Sequence, residues 1–141
     1  YGPRQRPDMA FHKFIRAILR GETISVYGDG NQSRDFTFVE DTVAATIAAM
    51  RYGEPGACYN VGGGTQVTVN EVLNTIERVT GLCARVEYGE RQAGDADHTA
   101  ADTTAARRVL GFAPRWSLTD GLKAEVDWLF SQSAQPAGSR S

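Results

Sequence analysis

Short segments of helical and strand periodicity alternate along the chain, and this alternation constrains the fold more than any other feature. Apolar residues recur at helical spacing in some segments and at alternate positions in others, with glycine or proline between most of them. The pattern predicts strands at residues 23–27, 35–39, 57–61 and 84–88. One helix is predicted before the first strand, one after each of the second and third, and two after the fourth. The fold class is therefore mixed α/β.

Capping residues and glycine stops define the helix ends. Asp8 and Asp102 stand where an N-cap residue is expected, and Thr68 with Glu71 matches a capping box. Glycine closes a helix because it enters the left-handed conformation without steric cost. Three predicted helices end in this way, at Gly21, Gly81 and Gly111.

Length and charge exclude several classes of protein. The 141 residues suit one domain, and 15 basic against 17 acidic residues give a net charge of −2. This balance argues against binding to nucleic acid or to an anionic membrane surface. The longest nearly apolar stretch, residues 43–50, is far shorter than the roughly 20 residues that span a bilayer.

The cysteines and histidines are isolated from one another. Cys58 and Cys83 lie in apolar, strand-like sequence without a CxxC motif, which predicts two buried free thiols in a reducing compartment. A disulfide or a metal site is the alternative. His12 and His98 belong to no cluster at ligand spacing, so we expect no metal. No secretory signal opens the chain and its first residue is not Met, so we expect a cytoplasmic protein from which an upstream part has been removed.

The chain carries few motifs that would support catalysis by themselves. The glycine turn at 28–34 begins like GxGxxG but lacks the third glycine, and it leads into a predicted strand, whereas a dinucleotide loop opens a helix. The only lysines, Lys13 and Lys123, have no tyrosine four positions before them. Arg34 and Arg91 stand beside glycine turns, where each is either a phosphate ligand or a solvated surface residue.

Eight short motifs occur in an order and at a spacing that resemble those of a known family. They are Tyr-Gly-Pro-Arg-Gln at 1–5, Ile-Ser-Val-Tyr-Gly-Asp-Gly at 24–30, Gln-Ser-Arg-Asp-Phe-Thr-Phe-Val-Glu-Asp at 32–41, Tyr-Asn-Val-Gly at 59–62, Gly-Asp at 94–95, Ala-Asp at 101–102, Leu-Gly-Phe at 110–112 with Pro114, and Ser-Leu at 117–118 with Gly-Leu at 121–122. Together they resemble the C-terminal part of the NAD-dependent epimerase/dehydratase family, the extended short-chain dehydrogenases, which include UDP-glucose 4-epimerase. The resemblance covers residues 1 to about 130.

The resemblance also implies what the chain lacks. In this family the N-terminal half carries the glycine-rich NAD loop and the catalytic Tyr-x-x-x-Lys, and neither occurs in this sequence. The chain is thus expected to be a fragment whose N-terminal Rossmann half is missing. Residues 1–130 would form the nucleotide-sugar-binding lobe, with strands that normally complete a Rossmann sheet, and residues 131–141 a flexible tail. NAD would be bound mainly by the missing half, and the parent enzyme would be a homodimer.

Three residues match contacts to the base and the diphosphate in this family. Ser25 and Tyr27 fall where a strand lies along the uracil ring, although a plain strand with an aromatic residue in the core would have the same pattern. Arg34 falls where an arginine reaches the diphosphate, and the resemblance implies that it is the main phosphate anchor. A surface salt bridge with Asp35 or Asp29 is the alternative reading of Arg34.

Two further residues match less directly. The family usually has Arg-x-Gly-Asp where this chain has Gln92 to Asp95, so that Arg91 stands one position early. Either Arg91 reaches the phosphates or Gln92 supplies a neutral hydrogen bond. Asp95 matches an acid that accepts hydroxyl groups of a ribose, or else it is a turn aspartate.

The resemblance implies that the parent protein is an NAD-dependent nucleotide-sugar epimerase acting on a substrate such as a UDP-hexose. A dehydratase, decarboxylase or reductase of the same family is the close alternative. A non-catalytic nucleotide-binding module and an inert truncation are alternatives of other classes. Because the Tyr-x-x-x-Lys pair and the glycine-rich loop are absent, the isolated chain is expected to be catalytically inactive.

Overall fold

The computed structural model describes residues 1–91, 94 and 96–133. Its elements, in chain order, are α1 (Ala10–Arg20), β1 (Thr23–Tyr27), β2 (Ser33–Asp35), α2 (Val39–Tyr52), β3 (Gln66–Thr68), α3 (Val69–Thr80), β4 (Arg85–Gly89), α4 (Thr104–Leu110) and α5 (Leu118–Ser133). The predicted mixed α/β class is confirmed. The predicted boundary at residue 130 falls inside α5, and residues 134–141 lie outside the described residues.

The described strands form two small sheets. β1 and β4 are parallel, with Thr23 opposite Arg85 and Tyr27 opposite Gly89. β2 and β3 are antiparallel, with Ser33 opposite Thr68. β1 alternates between exposed and buried residues, because its even-numbered residues enter the core. The odd-numbered residues, which include both predicted base contacts, therefore lie on the outer face.

The main core lies between α1, α3, α5 and the inner face of β1. Its fully buried members include Ile15, Ile76 and Leu122, one from each helix, and Ile24 comes from β1. A smaller cluster joins α2 to α4 through Ala45, Ala106, Leu110 and Phe112. The opposite face of α2 remains uncovered: Val39, Val43, Ile47 and Met50 are 39, 50, 42 and 79 % exposed.

Most predicted helix ends are confirmed. Thr68 Oγ1 accepts a hydrogen bond from Glu71 N (3.1 Å) and Glu71 Oε2 accepts one from Thr68 N (2.7 Å), which completes the capping box. The three glycine stops have φ of 65°, 70° and 64°. Asp8 is not the N-cap of α1, because Met9 occupies that position and Asp8 pairs with Arg6 instead. Asp102 precedes the N-cap of α4 by one residue, yet its Oδ1 accepts the N–H of Thr104 (2.9 Å).

Two predicted strands are wrong in the described structure. Residues 57–61 form no strand, because no described strand lies beside them and an extended segment needs a hydrogen-bonded neighbour. Residues 35–39 are divided between the end of β2 and the start of α2, with Phe38 as the extended N-cap. The short strand β3 was not predicted at all.

The two cysteines are free, as predicted, but both are exposed and not buried. Cys58 lies in the segment that forms no strand, and Cys83 lies in the connection between α3 and β4. Among the described residues, no group of three or more His, Cys, Asp or Glu side chains could hold a metal ion. No helix in the described ranges is long and apolar enough to cross a membrane.

The first two residues pack into the interior of the chain. The main-chain N and O of Tyr1 bond to Thr37 O (2.8 Å) and Val39 N (2.9 Å). Gly2 N donates to Oε2 of Glu125 (2.9 Å), whose side chain is fully buried on α5. Oε1 of Glu125 has no hydrogen-bond partner among the described residues, and burial raises the pKa of this carboxyl group to about 7.

Candidate functional site

A polar cavity of about 220 Å³ opens where β1 and β4 end. Because the two strands are parallel, the turn after Tyr27 and the residues after Gly89 emerge at the same edge, and Gly28 N bonds to Gly89 O (3.1 Å). In α/β proteins the carboxyl ends of parallel strands are the usual place for ligands. The cavity is lined by Tyr27, Gly28, Asp29, Asn31, Gln32, Arg91, Asp97 and His98.

The glycine turn after β1 forms one wall and is held by local hydrogen bonds. Asp29 accepts the main-chain N–H of Asn31 (2.9 Å) and its side-chain amide (2.8 Å), and these bonds lower the pKa of the Asp29 carboxyl group. Asn70, on α3, donates to Asp29 O (3.0 Å). Gly30 has φ of 76°, and a Cβ there would collide with the Asn70 side chain, so only glycine fits.

The opposite wall is a loop, residues 96–99, that is bound to β2. Ser33 N donates to Asp97 O (2.9 Å), and Thr99 N donates to Ser33 O (3.2 Å). The buried Ser33 hydroxyl also bonds to Nδ1 of His98 (2.8 Å). Ser33 therefore fixes both the backbone of this loop and the imidazole ring that it presents to the cavity.

The predicted base contacts are close together. Tyr27 is 56 % exposed and lines the polar cavity. It also lines a neighbouring cavity of about 400 Å³, where Ser25 joins it beside Lys13 and Phe14. The Tyr27 ring thus lies between the two cavities. Ser25 and Tyr27 share the outer face of β1, as the alternation of the strand requires.

The two candidate phosphate residues occupy different places. Arg91 lines the polar cavity and forms an ion pair with Asp97. Arg34 is half-buried behind the cavity wall, where its Nη1 donates to Ser33 O (2.9 Å) and to Ala96 O (2.8 Å). Arg34 therefore supports the 96–99 loop. Gln92 and Asp95, which the sequence also proposed, lie outside the described residues.

Sequence reasoning missed Gln32 and His98 as cavity residues. Gln32 Nε2 donates to Tyr27 O (2.8 Å), which ties the end of the turn to the end of β1. Gln32 is the first residue of the motif at 32–41 that contains Arg34, so examining each polar residue of that motif would have found it. His98 had no comparable signal, because its partner Ser33 is 65 positions away.

Comparison with known proteins shows which proteins this chain is similar to. Residues 1–62 match the model of the NAD dependent epimerase/dehydratase family. An uncharacterized UDP-glucose epimerase of Bacillus subtilis, YtcB, is 40% identical over 134 residues, which are 93% of this chain and 42% of that protein. A dTDP-glucose 4,6-dehydratase of Streptomyces griseus is 37% identical over 129 residues, 91% of this chain and 39% of that protein.

A solved structure agrees with these relatives. The UDP-glucuronic acid 4-epimerase of Bacillus cereus, in complex with UDP-glucuronic acid and NAD, superposes with a TM-score of 0.88 at 36% identity. The match covers 94% of this chain and 43% of that protein. The chain spans about two fifths of the length of the curated relatives that it matches. In its matched segments and its fold, the chain is similar to members of the NAD dependent epimerase/dehydratase family.

Proposed function

We propose that this chain is the nucleotide-sugar-binding, C-terminal part of a longer NAD-dependent UDP-hexose 4-epimerase. The observation that carries the proposal is the cavity at the ends of β1 and β4, which brings Tyr27 and Arg91 together beside Ser25. An aromatic ring, a guanidinium group and an exposed strand are the groups needed to bind a nucleotide by its base and its phosphates.

The arrangement assigns a role to each end of the nucleotide. The base lies against the exposed Tyr27 ring and the outer face of β1 at Ser25. The ribose and diphosphate then extend past Tyr27 into the polar cavity, towards Arg91. Arg34 adds positive charge behind this wall and holds the loop that forms it. By the resemblance of its motif alone, we assign the ribose hydroxyl groups to Asp95.

The residues of this chain do not fit NAD. The turn at 28–31 leads into β2, so its amides do not open a helix as a pyrophosphate site requires. Neither lysine of the sequence has a tyrosine four positions before it. We therefore assign binding and positioning of the nucleotide to this chain, and cofactor binding and proton transfer to the remainder of the longer protein.

Two uncovered features of the fold support a longer protein. The outer stripe of α2, formed by Val39, Val43, Ile47 and Met50, is apolar and solvent-exposed. Residues 57–61 have the composition of a strand but no neighbouring strand among the described residues. Exposed apolar stripes and unpaired strand sequences are usually covered in complete proteins. The remainder of the protein would supply that cover.

A 4,6-dehydratase is the second candidate, and the 37% identity to the Streptomyces griseus enzyme favours it. The two activities use the same kind of nucleotide site and differ in the fate of the sugar. The described cavity holds groups for the nucleotide, so the sugar chemistry is assigned to the remainder of the protein.

The test is to clone the coding sequence upstream of Tyr1, express the full-length protein and assay it with NAD. We expect interconversion of 4-epimers of a UDP-hexose, while the 141-residue chain binds UDP without turnover. A 4-keto-6-deoxy product would identify the dehydratase instead. If the 141-residue chain binds no UDP by calorimetry, or if it catalyses epimerisation alone, the proposal is wrong.

A further inference from the structure

The wall formed by residues 96–99 presents a carboxylate and an imidazole ring to the polar cavity. Asp97 and His98 are consecutive, and both line the cavity together with Arg91. Asp97 forms the ion pair with Arg91, so the guanidinium that faces the cavity already has an anionic neighbour. A ligand phosphate that binds Arg91 must share it with Asp97 or displace Asp97.

His98 is fixed in a way that suits a ligand contact. The bond from Ser33 engages Nδ1, and the main-chain bonds on either side of His98 hold the loop against β2. Within the described ranges, Nε2 forms no hydrogen bond. A ring held at one nitrogen presents the other nitrogen in a defined direction, as oriented histidines do in other binding sites.

The position of Tyr27 decides which part of a nucleotide reaches this wall. Tyr27 lines both cavities, whereas Ser25 lines only the second and His98 only the first. A base on the Ser25 side of the ring therefore places the ribose and phosphates on the His98 side. Asp29, the other acid in the polar cavity, is engaged by Asn31.

We propose that the 96–99 loop sets the affinity of this site for the phosphates of its nucleotide. His98 donates a hydrogen bond to a phosphate, and Asp97 competes with the phosphates for Arg91. Ser33 acts as a positioning residue for His98. This inference rests on the proposed nucleotide-binding function, and it assigns to this loop a role that neither the sequence motifs nor Arg34 supplies.

The test is calorimetric titration of the 141-residue chain with UDP and, separately, with uridine. His98→Ala should weaken UDP binding roughly tenfold, the size of a hydrogen bond to a charged group. Asp97→Asn should tighten UDP binding roughly two- to fivefold, because an exposed ion pair contributes little and is readily exchanged. Uridine, which has no phosphate, should bind all variants equally. Glu54→Gln, an exposed charge change away from the cavity, is the matched control for Asp97→Asn and should change nothing.

Ser33→Ala tests positioning. It should weaken UDP binding less than His98→Ala does, and it should add no further loss in the His98→Ala background. If wild type binds UDP and the single variants at 97 and 98 stay within error of it, the inference is overturned while the proposed function stands. An equal loss for uridine and UDP on His98→Ala overturns the phosphate assignment. Failure of wild type to bind UDP overturns the proposed function, and this inference with it.

Discussion

The strand-end cavity and the outer face of α2 are built in opposite ways. At the cavity, Asp29, Ser33 and Gln32 each have a hydrogen-bond partner, and the walls come from segments joined by main-chain bonds. On α2, apolar side chains follow one another along the helix and remain 39 to 79 % exposed. From this difference we expect the walls of the cavity to hold together without another chain, and the outer face of α2 to need a covering surface.

The largest expected effect concerns self-association through the exposed apolar stripe of α2. We expect the wild-type chain to self-associate and to bind a dye specific for apolar surface, because the α2 stripe is exposed. Val43→Lys combined with Ile47→Lys should abolish both without loss of helix content. Sedimentation and dye fluorescence measure the effect. The matched control, Thr42→Lys with Thr46→Lys on polar exposed positions of the same helix, should leave association unchanged.

A wild-type chain that sediments as a monomer at high concentration and binds no dye would contradict this prediction. The α2 face would then be as self-sufficient as the cavity, and the contrast between the two regions would disappear.

The second prediction concerns Arg34, which supports the cavity from behind. Arg34→Ala should weaken UDP binding roughly ten- to hundredfold, because it removes a charge near the phosphates and the bond to Ala96 O. Arg34→Lys should recover only part of the loss, since a flexible ammonium group keeps the charge but lacks the planar guanidinium whose Nη1 donates to both Ser33 O and Ala96 O. Arg91→Ala should cost less, because Asp97 already engages Arg91. Calorimetry with UDP measures all three, and equal affinity of wild type and Arg34→Ala would show that neither the charge of Arg34 nor its bond to Ala96 O contributes to binding.

The third prediction uses the buried carboxyl group of Glu125. Its folded-state pKa of about 7 lies above the ordinary value of 4.5, so the unfolded chain releases this proton at lower pH than the folded chain does. The free energy of unfolding should therefore fall as pH rises from about 4.5 through about 7. Glu125→Gln should flatten this dependence and raise stability at pH 8 by about 2 kcal/mol.

Urea unfolding of wild type and Glu125→Gln at pH 5 and pH 8 measures this difference. The same pH slope in both proteins would show that another group is responsible. Asp29, at the cavity, and Glu125, on α5, have pKa values shifted in opposite directions. Hydrogen bonds lower the pKa of Asp29, whereas burial raises the pKa of Glu125.

The smallest expected effect is local to the capping box of α3. Thr68→Ala should lower the free energy of unfolding by about 1 kcal/mol, because it removes the acceptor for Glu71 N. Thr80→Ala, which removes a hydroxyl at the other end of α3, should cost less. Urea unfolding measures both, and an equal cost for the two would argue against a specific capping contribution.

The features that the sequence predicted well are local in origin. Helix ends such as Gly21, Gly81 and the capping box at Thr68 depend on residues within one helical turn. A single sequence is therefore enough to predict them. The alternation at 23–27 likewise predicted the strand β1, in which Ser25 and Tyr27 lie on the same face.

The features that escaped prediction depend on distant partners. Residues 57–61 have the composition of a strand, but a strand also needs a hydrogen-bonded neighbouring strand, and composition does not reveal whether one is present. Cys58, which lies in this segment, is exposed. His98 reaches the cavity because it is bonded to Ser33, a contact between distant segments. The motif at 32–41 predicted Arg34 as a phosphate ligand, whereas its hydrogen bond to Ala96 O follows only from the three-dimensional structure.

The parallel register of β1 and β4 also limits how this chain can change its length. Gly89 is opposite Tyr27, and Arg91 follows two residues later as part of the cavity wall. Arg91 follows the end of β4 so closely that inserting or deleting one residue between Gly89 and Arg91 would shift the guanidinium group relative to Tyr27 and the other cavity residues. Insertions in the exposed connection after α2, around Gly56, would leave the two walls in place. Tolerance to a change in length should therefore be high at Gly56 and very low just after β4.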